Sequence, residues 1–210
     1  MVGNERGFTL VELMIAAALT MVVVGAAVGL ATRVQNSYQY EVDDAAVQQE
    51  ARFALDWISR TVAAAGSAPY GMATPCGDDE EYSPGFILDP DDDGEHDDIR
   101  VLSDVKVPNG QIGGSTCTED SEDVTIALGA DGTITRLDVA LDMTATSMTD
   151  SVFTGLSFAF LDADRAPVDD LADKIKYVQI SVTVQSKGFN PYTGERTSYT
   201  YQSEVRVRSL

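Results

Sequence analysis

Basic residues are scarce in this 210-residue chain: 14 Lys and Arg stand against 34 Asp and Glu, a formal net charge of −20. That shortage argues against a general nucleic-acid-binding surface, which needs a basic patch, and against docking on anionic lipid heads. It suits an exposed soluble domain, a divalent-cation ligand or a salty habitat, and composition does not separate these. Histidine occurs once, at His96. A zinc centre would have to combine one imidazole with carboxylates, a poor donor set for that metal, so His96 reads as a loop residue. Cysteine occurs twice, at Cys76 and Cys117, without the CxxC spacing of a redox motif. No Ser/His/Asp order, Cys-His pairing or glycine-rich phosphate loop stands out. Scattered acid pairs such as Asp78-Asp79 do not make a glycosidase, which needs carboxylates placed across a cleft. The expectation is a protein that is not an enzyme. Proline is absent from Met1 to Ala68, so nothing interrupts a helix there.

What fills that proline-free stretch is apolar. Residues 8–31 carry a single charge, Glu12, in a run long enough to span a bilayer core of about 20 residues. A charge in such a core costs roughly 2.5–3.5 kcal/mol on insertion scales, and the segment holds no Lys or Arg to offset it. An ordinary secretory signal has a shorter apolar core and no acid, although Gly29-Leu30-Ala31 offers a small-residue cleavage site. A plain membrane anchor explains the length and leaves Glu12 unexplained. Arg6 and Arg33 flank the run almost symmetrically, so charge asymmetry does not orient it. Gly25 and Gly29 form a GxxxG pair, a weak sign of helix contact that the small-residue composition of such segments explains better.

The short polar head Met1–Gly7, the junction Gly7-Phe8 and the acid five residues into Phe8-Thr-Leu-Val-Glu12-Leu-Met-Ile-Ala together resemble the class III signal of type IV prepilins and pseudopilins. The resemblance implies cleavage after Gly7 by a prepilin peptidase and N-methylation of Phe8. It also implies that Glu12 pairs with the free amine of a neighbouring subunit during filament assembly. Residues 1–7 are then a leader, 8–31 a transmembrane and filament-core helix, and 32–210 a periplasmic or extracellular head. The expected location is the inner membrane, single-pass with the N-terminus cytoplasmic, and then a filament outside it. The implied partners are other pilins or pseudopilins through the N-terminal helix, the peptidase and an inner-membrane assembly platform, with no nucleic acid. In an exported chain Cys76 and Cys117 read as one disulfide, closing a loop worth roughly 3–4 kcal/mol in the chain-entropy model; two free buried thiols are the alternative.

Beyond Arg33 the pattern becomes amphipathic. Val42, Ala46, Phe53, Trp57 and Thr61 recur at helical spacings, with Ala54, Ile58, Val62 and Ala65 beside them. Glu41, Asp44, Gln48, Arg52, Asp56 and Arg60 take the other side. The spacing predicts one helix from Phe8 to about Ala65, stopped by Gly66 and Pro69. A helix half in membrane and half on a sheet gives the expected fold class: α+β, pilin-like, the long N-terminal helix packed on an antiparallel β-sheet head. Strand signals follow at 99–102, 124–128, 133–141, 152–161, 177–186 and 198–207. The last two read as a terminal hairpin whose connection, about 187–197, is expected to protrude. Tyr192, Tyr199 and Tyr201 offer a binding surface or, as strand tyrosines more often do, a half-buried face.

The stretch Ala51-Arg52-Phe53-Ala54-Leu55-Asp56 with Ala63-Ala64-Ala65-Gly66, together with 152–162, 175–182 and 205–208, is similar to PilW-type minor pilins and to the J-type minor pseudopilins of type II secretion. The resemblance implies a subunit that initiates or assembles a type IV pilus, or one serving a secretion or DNA-uptake machine. An acidic loop region at about 70–123 departs from that pattern. Eleven of the 21 residues from Asp78 to Asp98 are acidic, with no Lys or Arg. Within it, Asp89, Asp91, Asp93 and Asp97 fall at loop positions 1, 3, 5 and 9, with Gly94 at 6 and Glu95 between. Such spacing aims alternate oxygens at one hard cation, as in calcium loops. Position 12, the bidentate Glu of an EF-hand, is Arg100, so Asp98 or a distant carboxylate would complete the set. The candidate cofactor is calcium, the alternative a solvated acidic turn; with it, the head would be a calcium-binding adhesive tip on a pilin stem.

Overall fold

In the computed structural model the described residues are 7–67, 74–75, 85–91, 93–104, 111–112, 122–139, 144–168 and 175–207. One helix, α1, runs from Leu10 to Ala63, 54 residues, or about 80 Å. It starts two residues later than the apolar pattern suggests, because Thr9 adopts an extended conformation (φ −76°, ψ 152°) and caps it. It closes through Ala64, and Gly66 follows in the left-handed region at φ 67°.

Among the described residues ten strands follow: β1 (Thr74–Pro75), β2 (Phe86–Leu88), β3 (Asp98–Leu102), β4 (Gln111–Ile112), β5 (Asp123–Leu128), β6 (Ile134–Asp138), β7 (Thr146–Ser147), β8 (Phe153–Leu161), β9 (Tyr177–Gln185) and β10 (Ser198–Arg206). They form a three-stranded sheet β10-β9-β8, a five-stranded sheet β2-β3-β5-β6-β7 and a small parallel pair β1-β4. The two larger sheets are antiparallel throughout. The terminal hairpin is β9-β10, with Ser198 opposite Gln185 and Arg206 opposite Tyr177.

Alternation in β9 drives the core. Val178, Ile180, Val182 and Val184 all point to one face and are fully buried. Opposite them on β8 lie Phe160, Phe158, Leu156 and Phe153, and on β10 Val205, Ser203, Tyr201 and Tyr199. The second half of α1 packs on β9 and β10 through Val47, Ala51, Ala54, Leu55, Ile58 and Val62. Each fully buried Val, Leu or Ile contributes roughly 1.5–3 kcal/mol. The five-stranded sheet adds Phe86, Ile99, Val101, Val124, Ile126 and Ile134 to the same core. The turn after α1 ties to it, with Gly66 N–H donating to Leu102 O at 2.9 Å.

The helix seam is rotated from the expected stripe. Phe53 is 50 % exposed and Val42 and Ala46 are also exposed, whereas Asp44 and Gln48 turn partly inward. The reason is β10: Tyr199 Oη donates to Asp44 Oδ2 at 2.8 Å and Gln48 Nε2 donates to the same oxygen at 2.9 Å. A polar clamp occupies a position that hydrophobic periodicity alone assigns to solvent.

The 187–197 connection does not project away. It lies back along α1, where Tyr40 and Thr197 share a 2.6 Å hydroxyl hydrogen bond and Ser37 meets Tyr192 at 3.1 Å. Tyr199 and Tyr201 are half-buried against the core, while Tyr192 is exposed.

Candidate functional site

Two regions carry the residues of interest. The first is the start of α1. Gly7, Phe8 and Thr9 precede the helix without regular structure. The Gly7-Phe8 peptide is therefore reachable as an open chain, and Phe8 is 90 % exposed. Thr9 and Glu12 form a capping box: Glu12 N–H donates to Thr9 Oγ1 at 3.3 Å, and Thr9 N–H and Oγ1 both donate to Glu12 Oε2 at 2.9 Å. Glu12 is thus held at the helix N-terminus, where the macrodipole favours a negative charge.

From Leu10 through Arg33 every side chain of α1 is exposed. This is the single described helix long and apolar enough to cross a membrane. Its polar hydroxyls are satisfied locally, Thr20 on Ala16 O at 2.7 Å and Thr32 on Val28 O at 3.0 Å, so neither needs water. No described residue comes within 4 Å of a Cβ placed on Gly25 or Gly29, so the pair makes no intramolecular contact.

The second region is the β2–β3 connection. Asp89, the residue after β2, has a left-handed backbone (φ 52°), and Gly94 follows at φ 86°. These two positions fold the loop back on itself. Asp93 N–H donates to Asp89 Oδ1 at 3.1 Å and to Asp91 Oδ1 at 3.3 Å, and Gly94 N–H donates to Asp89 Oδ2 at 2.9 Å. Asp93 Oδ1 in turn accepts from Glu95 N–H at 2.8 Å. The loop is fastened to the neighbouring sheet at His96, whose carbonyl accepts from Phe158 N–H at 2.8 Å and whose ring stands edge-on to Phe160 at 6.0 Å.

The fold gathers Asp89, Asp91 and Asp98, with one carboxylate oxygen of each within 4.8 Å of the others. Asp93, Glu95 and Asp97, anticipated from spacing, are not in that triad; Asp98, at the first position of β3, is. Asp98 is 5 % exposed, and its Oδ1 has no hydrogen-bond partner among the described residues. Burial, then the negative charges of Asp91, Asp89, Asp97 and Asp93, push its carboxyl up to about 7. Asp91 is also raised, by burial first and then by its bond to Asp89 and the charge of Asp93. Asp89 moves the other way: burial pushes it up, but N–H donation from Gly94 and Asp93, with Asp91 and His96 nearby, more than offsets that. Arg100 follows Asp98 on β3. Its guanidinium makes a bidentate pair with Asp123 on β5, 2.7 and 2.6 Å.

Cys76 and Cys117 lie outside the described residues, as do 1–6 of the leader and much of the acidic region, including Asp92.

Residues 3–28 match the model of the prokaryotic N-terminal methylation motif. No curated protein matches the chain, and no solved structure does. The motif match covers residues 3–7 of the polar head, the Gly7-Phe8 junction and Glu12, and it supports a pilin or pseudopilin type of subunit with a membrane-inserting helix.

Proposed function

We propose that the chain is a minor pilin-type structural subunit that helps to initiate or assemble a type IV pilus. The observation that carries this reading is the pairing of a methylation motif with a stem whose apolar surface is wholly uncovered. Residues 10–33 cannot remain in water at that exposure, and the head offers them no cover. Lipid covers them before assembly and neighbouring stems afterwards. The exposed row Val42, Ala46 and Phe53 extends an apolar face beyond the span, which gives the upper stem a surface for the same neighbours.

In this reading the peptidase cuts the open Gly7-Phe8 peptide from the cytoplasmic side, and an assembly platform in the inner membrane receives the product. Removal of residues 1–7 leaves a charged amine on Phe8, one residue ahead of Thr9. Glu12, now in a low-dielectric environment, stands where a neighbour's amine would make a paired charge far less costly than two lone ones. The role is architectural rather than enzymatic. A pseudopilin of a secretion or DNA-uptake machine would use the same N-terminal physics.

Mass spectrometry of the protein purified from its native membrane tests the reading. The expected first residue is an N-methylated Phe8. A mature chain that still begins at Met1, or one trimmed beyond Ala31, overturns it. Glu12→Ala should leave membrane insertion intact and reduce filament incorporation severely; unchanged incorporation removes the pairing role.

A further inference from the structure

We infer that Asp89, Asp91 and Asp98 form a calcium site that locks the β2–β3 connection onto the head. The claim is independent of the filament reading, since it rests on the folded head alone. Three arguments support it.

The first is distance. Oxygens bound to one calcium ion at about 2.4 Å lie no farther than about 4.8 Å apart, and the three carboxylates already satisfy that limit. The second is the state of Asp98. A carboxylate that is 5 % exposed with an oxygen lacking any hydrogen-bond donor among the described residues is rare in a folded protein. Its neighbours Asp89 and Asp91 are acids, so above the pH at which Asp98 gives up its proton a cation is the group that would satisfy all three. Arg100, adjacent in sequence on β3, is committed to Asp123 through both of its donors named above. The third is preorganisation. Asp89 and Asp91 are fixed by backbone N–H groups of Asp93 and Gly94, and the loop is pinned to β8 through His96. Those bonds leave carboxylate lone pairs for a cation, because each oxygen accepts more than one bond.

Three carboxylates are hard ligands and exclude a preference for soft metals. A loop of varied curvature with water completing the shell suits calcium, whereas magnesium demands near-ideal octahedral geometry and gives up its waters reluctantly. Three charges on a partly exposed loop place the affinity in the range of extracellular calcium modules, with Kd of about 10⁻⁴–10⁻³ M.

Isothermal titration of calcium chloride into the full chain in neutral detergent, after chelator treatment and dialysis, tests the site. The expected result is one saturable ion per chain. Asp91→Asn, on the exposed side of the loop, should weaken binding at least about tenfold, and Asp98→Asn should abolish it. Asp150→Asn, an exposed acid elsewhere on the head, should leave it unchanged. Thermal unfolding gives a second readout: calcium should raise Tm in the wild type and not in Asp98→Asn. No saturable binding at millimolar calcium overturns the site, and so does equal loss in all three variants, which would mean diffuse charge screening. Binding of magnesium with equal or greater affinity overturns the choice of ion.

Discussion

Asp98 is the residue at which burial and charge oppose each other most sharply. It begins β3, pairs with Ala127 of β5, and must desolvate its carboxylate for the strand to join the sheet. With the ordinary value at 3.8 and the folded value at about 7, the folded state holds a proton over a window in which the unfolded chain has released it. Stability therefore falls as pH rises through that window. The contribution is fully present below about pH 4 and gone above about pH 7. The groups around it are Asp89, Asp91, Asp93 and Asp97, with His96 beside Asp89. Asp98→Asn removes the titrating group and keeps the shape. In chelator, the variant's stability relative to wild type should grow from pH 4 to pH 7, by on the order of 4 kcal/mol at most. Urea midpoints at pH 4, 5.5 and 7 measure this, and a constant difference across the three would mean that folding leaves the Asp98 titration where it is in the unfolded chain. A second single-residue constraint sits at Gly85 (φ 87°), where an added Cβ would lie 2.6 Å from Gly66 N. Gly85→Ala should cost about 1–3 kcal/mol, read as a lowered midpoint.

At the scale of elements, α1 is held by a narrow seam. Ala51, Ala54 and Ile58 are completely buried between the helix and β9-β10, and small residues at two of the three let the backbone approach the sheet. Ile58→Ala should destabilise the head by about 2–5 kcal/mol, whereas Phe53→Ala, half-exposed one turn away, should cost far less; chemical denaturation of both variants makes the comparison. That contrast also marks the limit of the sequence pattern. The existence, length and end of α1 were legible because proline is absent and Gly66 stands at the stop. The longer strands β8, β9 and β10 were legible because apolar residues alternate over nine positions. The seam's rotation was not, since it depends on Tyr199 reaching Asp44 across 155 positions. The short strands β2 and β7 lack any periodicity to detect and exist because β3 and β6 offer them edges. The acidic loop was legible as a cation candidate from its spacing, but strand register, not spacing, brings Asp98 to Asp89 and Asp91.

At the scale of the whole molecule, the chain divides into a stem that water cannot tolerate and a head that carries the negative charge. From Leu10 to Arg33 every helix side chain is exposed, and contact with the head begins where Ser37 meets Tyr192 and Tyr40 meets Thr197, before Val47 enters the core. The head's core is assembled entirely from residues from Val47 onward. Removal of residues 1–33 should therefore leave the tertiary structure unchanged while eliminating the need for detergent. The shortened chain should run as a monodisperse species by light scattering in plain buffer, with the near-ultraviolet circular dichroism of the full chain. Mutual repulsion within a −20 chain favours that solubility and opposes self-association. In the proposed filament, growth has to overcome this repulsion between heads, so the stem has to supply the adhesive free energy. Adding Glu12→Ala to the full-length chain should then weaken assembly more at low salt than at high, because screening relieves head repulsion while leaving a buried stem pair largely untouched. Filament yield compared at 20 and 300 mM salt, where the Debye length falls from about 20 Å to about 6 Å, would show it; a defect that does not depend on salt would place the opposing force somewhere other than the heads.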